Sequence, residues 1–369
     1  MFSNWFLKSF RILLIPFALL FWLVIWLRNW LYDKNIFKPT SFGLPIICVG
    51  NLSVGGTGKS PMVEYLVKHL KGSFKVATLS RGYKRKTKGY ALATAQTTAI
   101  DIGDEPMLFF RKFPDVPVAV GEQRLEAIPQ LLHDHPETRA IILDDAFQHR
   151  AIDAGLNILL TDYRNLFTRD FFLPTGDLRD LKSSYKRAEI IIVTKCRENL
   201  SPEERDEVIA EIKPQPGQPV FFTTIVYGRP YHITQHHTVL LDEYTEVLLV
   251  TGIANPLPIK KYLEELIHTY YMMHYSDHHI FSTDDWKEIQ SRFAAIEADK
   301  KIILTTEKDA MRLLKYESEL NHLPFYVIPI EPRFLFKQDT EFNNLVISFI
   351  SNFKKPSLST HGTQTLQER

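Results

Sequence analysis

Cysteine is scarce in this chain, and neither sign of charge is in excess. Only Cys48 and Cys196 occur in 369 residues, too few for a disulfide framework, so we predict two buried free thiols in a reducing compartment. Lys and Arg total 44 against 43 Asp and Glu, so net charge gives no argument for or against a nucleic-acid partner. We find no internal repeat. The length and the 45% hydrophobic content allow two domains or one large domain.

Charge is also absent from residues 12–27, a run of sixteen mostly apolar residues. At about 1.5 Å per residue in a helix, this run is slightly shorter than the roughly 20 residues of a full membrane span. Trp5, Trp22, Trp26 and Trp30 suit a membrane–water interface, and the last three share one side of a helix. Small residues for signal-peptidase cleavage are missing, and cations flank both ends. We therefore predict a retained anchor, spanning the bilayer or lying in one leaflet, rather than a buried core helix.

A glycine-rich segment, VGNLSVGGTGKSP at 49–61, follows the apolar run 44–49 and precedes a helical pattern. This strand–loop–helix order is the context of a phosphate-binding P-loop, although the strict pattern has Gly at the position of Ser53. Backbone N–H groups and the helix N-terminus would bind phosphate oxygens. Lys59 would reach the β- and γ-phosphates, and Ser60 would bind Mg²⁺. The predicted nucleotide-binding residues of the loop are Ser53, Val54, Gly55, Gly56, Thr57, Gly58, Lys59 and Ser60.

Carboxylates follow another predicted strand. The apolar residues 140–143 lead into Asp144 and Asp145. In P-loop proteins a strand-end Asp holds Mg²⁺ or its water shell, and paired carboxylates repel each other, which favours a cation beside them. Asp104 is a further acid. It precedes Glu105 and Pro106, so it suits a helix N-cap, and spacing alone favours that structural role.

Three more polar segments have both a structural and a functional interpretation. The five cations in residues 81–88 form either a solvated face or a site for phosphate or a lipid headgroup. Arg179 and Asp180 form either a surface ion pair or contacts with nucleotide phosphate and metal. His278 and His279 are adjacent and do not share a face, so a two-histidine metal site is poorly supported. One of them is either structural, or it polarises a carboxylate or orients a substrate hydroxyl.

Strands and helical patterns alternate along the rest of the chain. This order implies βαβ units. The predicted fold class is therefore α/β: a P-loop NTPase-like, mostly parallel sheet flanked by helices, with a second, smaller α/β domain and an N-terminal membrane helix. Strands are predicted at 44–49, 75–79, 116–120, 140–143, 156–160, 190–193, 220–226, 231–234, 246–251, 301–305 and 325–330. Helices are predicted near 105–113, 122–133, 201–212, 257–269 and 284–297.

Breaker residues between 214 and 219 indicate a domain boundary near 215–235. The second domain's C-terminal end could pack back on the first domain, and the polar tail is predicted to be disordered. The predicted units are an anchoring helix (1–35), a P-loop domain (36–225), a second α/β domain (226–352) and a tail (353–369).

Eight segments together resemble one family, the bacterial tetraacyldisaccharide 4′-kinases of lipid A synthesis. They run in family order along nearly the whole chain, which is more specific than any single motif, and Ser53 is itself common in the family. The segments are VGNLSVGGTGKSP (49–61), SRGY (80–83), GDEP (103–106), DDAFQH (144–149), LPTGDLR (173–179), TGIANP (251–256), DH (277–278) and TTEKD (305–309).

The resemblance implies an enzyme that uses ATP and Mg²⁺. It would transfer the γ-phosphate of ATP to the 4′-hydroxyl of a tetraacylated glucosamine disaccharide 1-phosphate, at the cytoplasmic face of the bacterial inner membrane. The partner is then a membrane-embedded lipid substrate, with no nucleic acid and no evident protein partner. Lys59 and Ser60 match the family's phosphate and Mg²⁺ residues, and Arg179 matches a phosphate-contacting arginine.

The resemblance also assigns roles to residues on the acceptor side. Asp104 matches the carboxylate that activates the sugar hydroxyl, and His278 matches its partner. Asp144 and Asp145 match the metal-site pair. Asp180 stands where many members have Glu, which is one methylene longer, so its role stays open.

Two other classes of protein remain as alternatives. A P-loop GTPase or ATPase of the metallochaperone type predicts Cys-x-x-Cys and a guanine-reading Asn-Lys-x-Asp. The segment TKCR at 194–197 resembles the latter only weakly, because Arg197 occupies the position of the base-reading Asp. A membrane-anchored nucleotide switch or scaffold would need no acceptor site, and it leaves Asp104 and His278 unexplained.

Overall fold

Two β-sheets organise the protein, which a computed structural model describes over residues 13–354. The larger sheet consists of β1 (Ile46–Asn51), β2 (Val76–Ser80), β3 (Ala91–Leu92), β4 (Val118–Val120), β5 (Ala140–Asp144), β6 (Leu156–Asp162), β7 (Ile190–Thr194), β8 (Val220–Tyr227) and β14 (Ile330–Phe334). Their order across the sheet is β14-β8-β7-β6-β1-β5-β2-β4-β3. The strands are parallel except for β3 and β14, which pair antiparallel at the two edges.

The smaller sheet lies in the second half of the chain. It consists of β9 (Tyr231–His232), β10 (Glu246–Thr251), β11 (Tyr270–His274), β12 (Lys301–Thr306) and β13 (Phe325–Ile328). Their order is β11-β10-β12-β13-β9, and only β9 is antiparallel to its neighbour among these described strands. Two mostly parallel sheets confirm the predicted α/β class.

Helices connect the strands of both sheets. The α-helices are α1 (Ile15–Asp33), α2 (Lys59–Leu70), α3 (Ala99–Ile102), α4 (Asp104–Lys112), α5 (Arg124–Asp134), α6 (Pro202–Ile212), α7 (Leu257–Glu264), α8 (Thr283–Ala294), α9 (Glu307–Leu313), α10 (Glu317–Leu320) and α11 (Asp339–Ser351). Short 3₁₀ helices occupy Lys182–Arg187 and Leu314–Tyr316. Capping boxes explain two of the helix starts: Ser201 with Glu204 begins α6, and Ser282 with Asp285 begins α8.

The central strand β1 is buried on both faces. Ile46 and Cys48 belong to one hydrophobic core, while Ile47 and Val49 belong to the core on the opposite face. Successive strand residues point to opposite faces, so this unbroken apolar run suits a parallel strand covered on both sides. Cys48 is a free, buried thiol, and so is Cys196, as predicted.

The predicted single strand at 325–330 is wrong, because the chain changes sheets at Pro329. Residues 325–328 form β13 in the smaller sheet, and residues 330–334 form β14, which pairs with β8 in the larger sheet. Proline lacks a backbone N–H and so interrupts a ladder. Its carbonyl instead accepts a hydrogen bond of 2.9 Å from the Gly228 amide. Helix α11 then packs on the larger sheet through Phe342 and Val346.

Other elements were not expected from the sequence pattern. The helix predicted near 257–269 ends earlier, as α7, and the residues after it form β11. Helices α9 and α11 were not predicted. The predicted tail lies outside the described residues from position 355 onward.

Helix α1 is exposed along most of its length. Ala18 and Asn29 are its buried residues. Among the described helices, α1 alone is long and apolar enough to cross a membrane by length and composition. This exposure argues against the alternative of a buried core helix. Residues 1–12, with Trp5 and the start of the predicted apolar run, lie outside the described residues.

Candidate active site

Three neighbouring strands of the larger sheet end at one edge and carry most of the predicted site residues. Strand β1 leads into the glycine-rich loop, β5 ends at Asp144, and β2 leads into residues 81–83. The register aligns Val49 of β1 with Asp144 of β5, and Leu79 of β2 with Leu143 of β5. In open α/β sheets, ligands bind outside the carboxyl ends of the strands. The three segments therefore share one candidate binding edge.

The glycine-rich loop has the backbone that a P-loop requires. Gly55 and Gly58 have φ angles of +102° and +84°, which glycine adopts without steric cost. Helix α2 starts directly after the loop at Lys59, with Ser60 buried in its first turn. The exposed N–H groups and the positive end of the helix dipole make this turn a suitable phosphate site.

Asp144 is buried at the end of β5, and its Oδ1 has no hydrogen-bond partner among the described residues. Burial, and then the neighbouring Asp145 and Glu105, raise the pKa of Asp144 to about 7. A buried carboxylate oxygen without a partner is costly. Carboxylate and hydroxyl oxygens are also the ligands that Mg²⁺ prefers. Asp144 thus fits a bound divalent cation.

Asp145 is instead held by cations. Arg179 donates both terminal nitrogens to its carboxylate, one of them over 3.1 Å, and Lys59 Nζ lies 3.7 Å from Oδ1. Burial alone would raise the pKa of Asp145, but Lys59 and Arg179 bring it below its ordinary value. Burial lowers the pKa of Lys59, and the attraction of Asp145 opposes that effect. The two cations expected on phosphate are therefore both paired with Asp145 in this structure.

Asp104 comes from helix α4 and meets the segment between β11 and α8. Its Oδ2 lies 3.0 Å from Nδ1 of His278. The N-cap of α4 is Gly103, and Asp104 is the first helical residue, so the expectation that Asp104 caps this helix is wrong. Gly103 has a φ of +98°, and a Cβ there would lie 3.0 Å from the carbonyl oxygen of Tyr83. The close approach of Tyr83 therefore requires glycine at position 103, the N-cap. Since Gly103 occupies the cap, the Asp104 side chain is available to contact His278.

The two adjacent histidines have separate partners. His278 faces Asp104, packs edge-on against the Tyr83 ring at 5.6 Å between centroids, and donates its backbone N–H to the Gly252 carbonyl over 3.1 Å. His279 Nε2 lies 2.9 Å from Oδ2 of Asp285, in the first turn of α8. Of the two histidines, only His278 is thus in contact with the Asp104 carboxylate.

A buried ion pair that sequence reasoning missed fixes this arrangement. Asp309 of α9 is fully buried and accepts hydrogen bonds from Thr251, Gly252 and Thr306 over 2.6–3.2 Å. Arg312 donates to Asp309 over 2.6 Å and lies 3.5 Å from Asp104 Oδ2. The available signal was the three-residue spacing of Asp309 and Arg312, which places opposite charges on one helix face.

Comparison with known proteins gives the family. The family model described as tetraacyldisaccharide-1-P 4′-kinase matches residues 10–351. A tetraacyldisaccharide 4′-kinase of Bacteroides thetaiotaomicron is 41% identical over 94% of this chain and 95% of its own length. That of Flavobacterium johnsoniae is 43% identical over 94% of this chain and 99% of its own.

The chain belongs to the tetraacyldisaccharide-1-P 4′-kinase family. The crystal structure of LpxK from Aquifex aeolicus, described as an "apo" form in complex with ATP, superposes with a TM-score of 0.73. It is 28% identical, and the match covers 92% of this chain and 99% of that one. The predicted family, the α/β fold and the assignment as a kinase are therefore confirmed.

Asp180 of this kinase contacts helix α1. Its side chain is fully buried and accepts hydrogen bonds from Asn29 of α1 over 2.8 Å and from Ser184 over 2.9 Å. Arg187 Nη2 donates to its other oxygen over 3.0 Å. Neither interpretation from the sequence, a surface ion pair or a metal contact, describes this environment.

Lys195, which follows β7, contacts the P-loop, a role that the sequence did not assign to it. Its ammonium group donates to the Gly56 carbonyl of the P-loop and to Asp162 Oδ2, the latter over 2.9 Å. The neighbouring Thr194 hydroxyl donates to the Thr57 carbonyl over 2.8 Å. The TKCR segment thus supports the P-loop backbone, a contact that its resemblance to a base-reading motif did not reveal.

Proposed function

We propose that this kinase transfers the γ-phosphate of ATP to the 4′-hydroxyl of a tetraacylated glucosamine disaccharide 1-phosphate at the cytoplasmic face of the bacterial inner membrane. One observation carries the proposal. Asp104 of α4 and His278, which lie 174 positions apart in sequence, are in contact, and neither residue has a function in a protein that only binds nucleotide. Family membership supports the same acceptor.

The donor side follows from the pairing of Asp145 with two cations. Lys59 belongs to the P-loop, and Arg179 contacts the same Asp145 carboxylate. Triphosphate oxygens would compete with Asp145 for both cations, because phosphate offers bidentate acceptors of higher charge. Lys59 would then stabilise the charge that develops on the transferred phosphoryl group.

Ser60, Asp144 and Asp145 would hold Mg²⁺. Within residues 13–354 no cluster of three His, Cys, Asp or Glu residues is arranged as a complete metal site, which fits a cation whose remaining ligands are nucleotide phosphate and water. The free Oδ1 of Asp144 supports this assignment. Bound Mg²⁺ would neutralise charge on the β- and γ-phosphates.

The acceptor side needs a base. His278 Nδ1–H donates to Oδ2 of the Asp104 carboxylate, which orients Asp104 and leaves Oδ1 to accept a proton. The 4′-hydroxyl oxygen attacks the γ-phosphorus, its proton moves to Asp104, and the bond from the γ-phosphorus to the bridging oxygen of ADP breaks. A positioned base of this kind contributes about 10²–10⁴-fold to rate.

Cations between α1 and the catalytic edge suit the substrate's own phosphate. Arg124 is buried, and burial and then the charge of Arg81 lower its pKa to about 10. Burial and then Arg124 lower the pKa of His149. Arg28, at the end of the anchor, acts on His149 in the same direction. Clustered positive charge that includes a residue of an exposed apolar helix favours an anionic lipid.

Phosphate transfer in mixed micelles tests the proposal. The full-length protein would be supplied with γ-labelled ATP, Mg²⁺ and the tetraacyldisaccharide 1-phosphate, with Lys59→Ala as the matched variant. We expect labelled lipid from the native enzyme and a rate about 10²–10³-fold lower from Lys59→Ala. Label that stays in ATP, or is released only as inorganic phosphate, would contradict the kinase assignment.

A further inference from the structure

Helix α1 is joined to the catalytic edge by a buried polar contact. Asn29 is 3% exposed and Asp180 is fully buried, and the Asn29 amide donates to Asp180 Oδ1 over 2.8 Å. A buried hydrogen bond to a charged acceptor is stronger than one between neutral groups, and leaving such an acceptor unpaired is costly. An otherwise exposed apolar helix therefore has one polar side chain that is fixed inside the kinase domain.

Further bonds join the same end of α1 to the segment after Asp145. Arg150 donates to the Asn29 carbonyl over 3.0 Å and to Asp33 over 2.7 Å. Its guanidinium also lies 4.9 Å from the centroid of the Tyr32 ring, within the range of a cation–π contact. The last turns of α1 are thus bound at two points, by Asp180 and by Arg150.

Both attachment points adjoin catalytic residues. Asp180 follows Arg179, whose backbone N–H donates to the Leu52 carbonyl over 2.8 Å and whose guanidinium holds Asp145. Arg28 of α1 donates to the Gln148 carbonyl, and the Gln148 amide donates to the Asn51 carbonyl over 2.7 Å. Anchor, carboxylate segment and P-loop therefore form one continuous hydrogen-bonded unit.

We propose that Asp180 is a positioning residue: it fixes the cytoplasmic end of the anchor helix against the catalytic edge, so that a lipid acceptor in the bilayer is presented to the γ-phosphate at a set height. The inference rests on the proposed function. A sugar attached to four acyl chains has little freedom to move along the membrane normal, and a fixed enzyme height keeps its hydroxyl within reach.

An isosteric series separates this role from metal binding. Asn29→Asp places a second carboxylate against Asp180, Asp180→Asn removes the charge, and the double variant restores a complementary amide–carboxylate pair. Asn35→Asp, at an exposed position just after α1, makes the same chemical change outside the contact and serves as the control. All four would be compared in nanodiscs of the full-length chain.

Two measurements, hydrogen exchange and steady-state phosphate transfer, distinguish these variants. Hydrogen exchange at residues 179–187 should speed up at least tenfold in Asn29→Asp, return toward the native rate in the double variant, and not change in Asn35→Asp. In steady-state transfer, Asn29→Asp should raise the KM for the lipid about tenfold, while the KM for ATP and the Mg²⁺ requirement change less than about twofold, and the double variant should recover most of this loss.

Other results would overturn the inference. An Asp180→Asn variant that raises the Mg²⁺ requirement while Asn29→Asp acts like the control would make Asp180 a metal residue. Faster exchange with an unchanged lipid KM would show that the contact does not position substrate. Absence of lipid phosphorylation by the native protein would instead refute the proposed function, and the exchange measurement would still report whether α1 is docked.

Discussion

The buried ion cluster of Glu64, Lys112 and Glu307 predicts an unusual pH dependence of stability. Glu64 lies on α2, Lys112 ends α4, and Glu307 begins α9. The Lys112 ammonium contacts both carboxylates. One cation is shared by two acids, so a proton on one acid relieves their repulsion. Burial, and then Glu307, raise the pKa of Glu64 to about 7 from 4.5.

The direction and size of this pH dependence follow from the difference between the pKa of Glu64 in the folded and the unfolded protein. Between pH 4.5 and pH 7 the unfolded chain loses the Glu64 proton while the folded protein retains it, so folding stability falls as pH rises and levels off above pH 7. A raised pKa of this size corresponds to about 3 kcal/mol, at about 1.4 kcal/mol per unit. The Glu64 side chain is 11% exposed, so solvent screening reduces this figure little. Lys308 also acts on Glu64 and opposes the shift.

Glu64→Gln removes the titrating group and tests the prediction. Urea unfolding followed by circular dichroism at pH 5 and pH 8, at fixed ionic strength, should show the variant losing about 2–3 kcal/mol less than the native protein over that interval. Glu288→Gln, which removes an exposed acid paired with Arg292, should keep the native dependence. Equal pH dependence of the native protein and Glu64→Gln would show that Glu64 does not cause the fall in stability.

Three further predictions concern the site and the fold. Asp104→Asn should lower kcat for lipid phosphorylation about 10²–10⁴-fold with unchanged ATP affinity by calorimetry; near-native turnover would remove its role as base. His278→Ala should lower kcat, whereas His279→Ala, which loses contacts with Asp285 and with the Tyr275 and Phe281 rings, should lower the melting temperature and leave kcat near native; a reversed order would exchange their roles. Phe342→Ala should cost about 3–5 kcal/mol of stability by urea titration with an unchanged KM, because Phe342 is fully buried where α11 packs on the larger sheet.

Local sequence signals predicted the strand, loop and helix around the glycine-rich segment and the acid at the end of β5. A P-loop depends on a strand, a few glycines, Lys59 and Ser60, all within a short stretch, and the larger sheet places Asp144 beside them through simple parallel pairing. Buried parallel strands are continuous apolar runs, which are readable without an alignment. These features therefore needed only near-neighbour information.

Features that depend on tertiary contacts could not be predicted from residue spacing. His278 reaches Asp104 across 174 positions of sequence, and no spacing rule connects them; only the family resemblance paired them. Spacing favoured Asp104 as an N-cap because the need for a side-chain-free residue at Gly103 arises from its contact with Tyr83. Spacing also left a surface ion pair and a metal contact open for Asp180, since its buried partner Asn29 lies far away in sequence, in α1.

The position of the new phosphate on the lipid shows which hydroxyl the enzyme activates. Asp104 and His278 are expected to activate one hydroxyl, the 4′-hydroxyl of the lipid disaccharide. Phosphorus–proton correlation spectra of the product made by the full-length enzyme should place the transferred phosphate on C4′. A phosphate on any other oxygen, or a product that retains a free 4′-hydroxyl, would contradict the account.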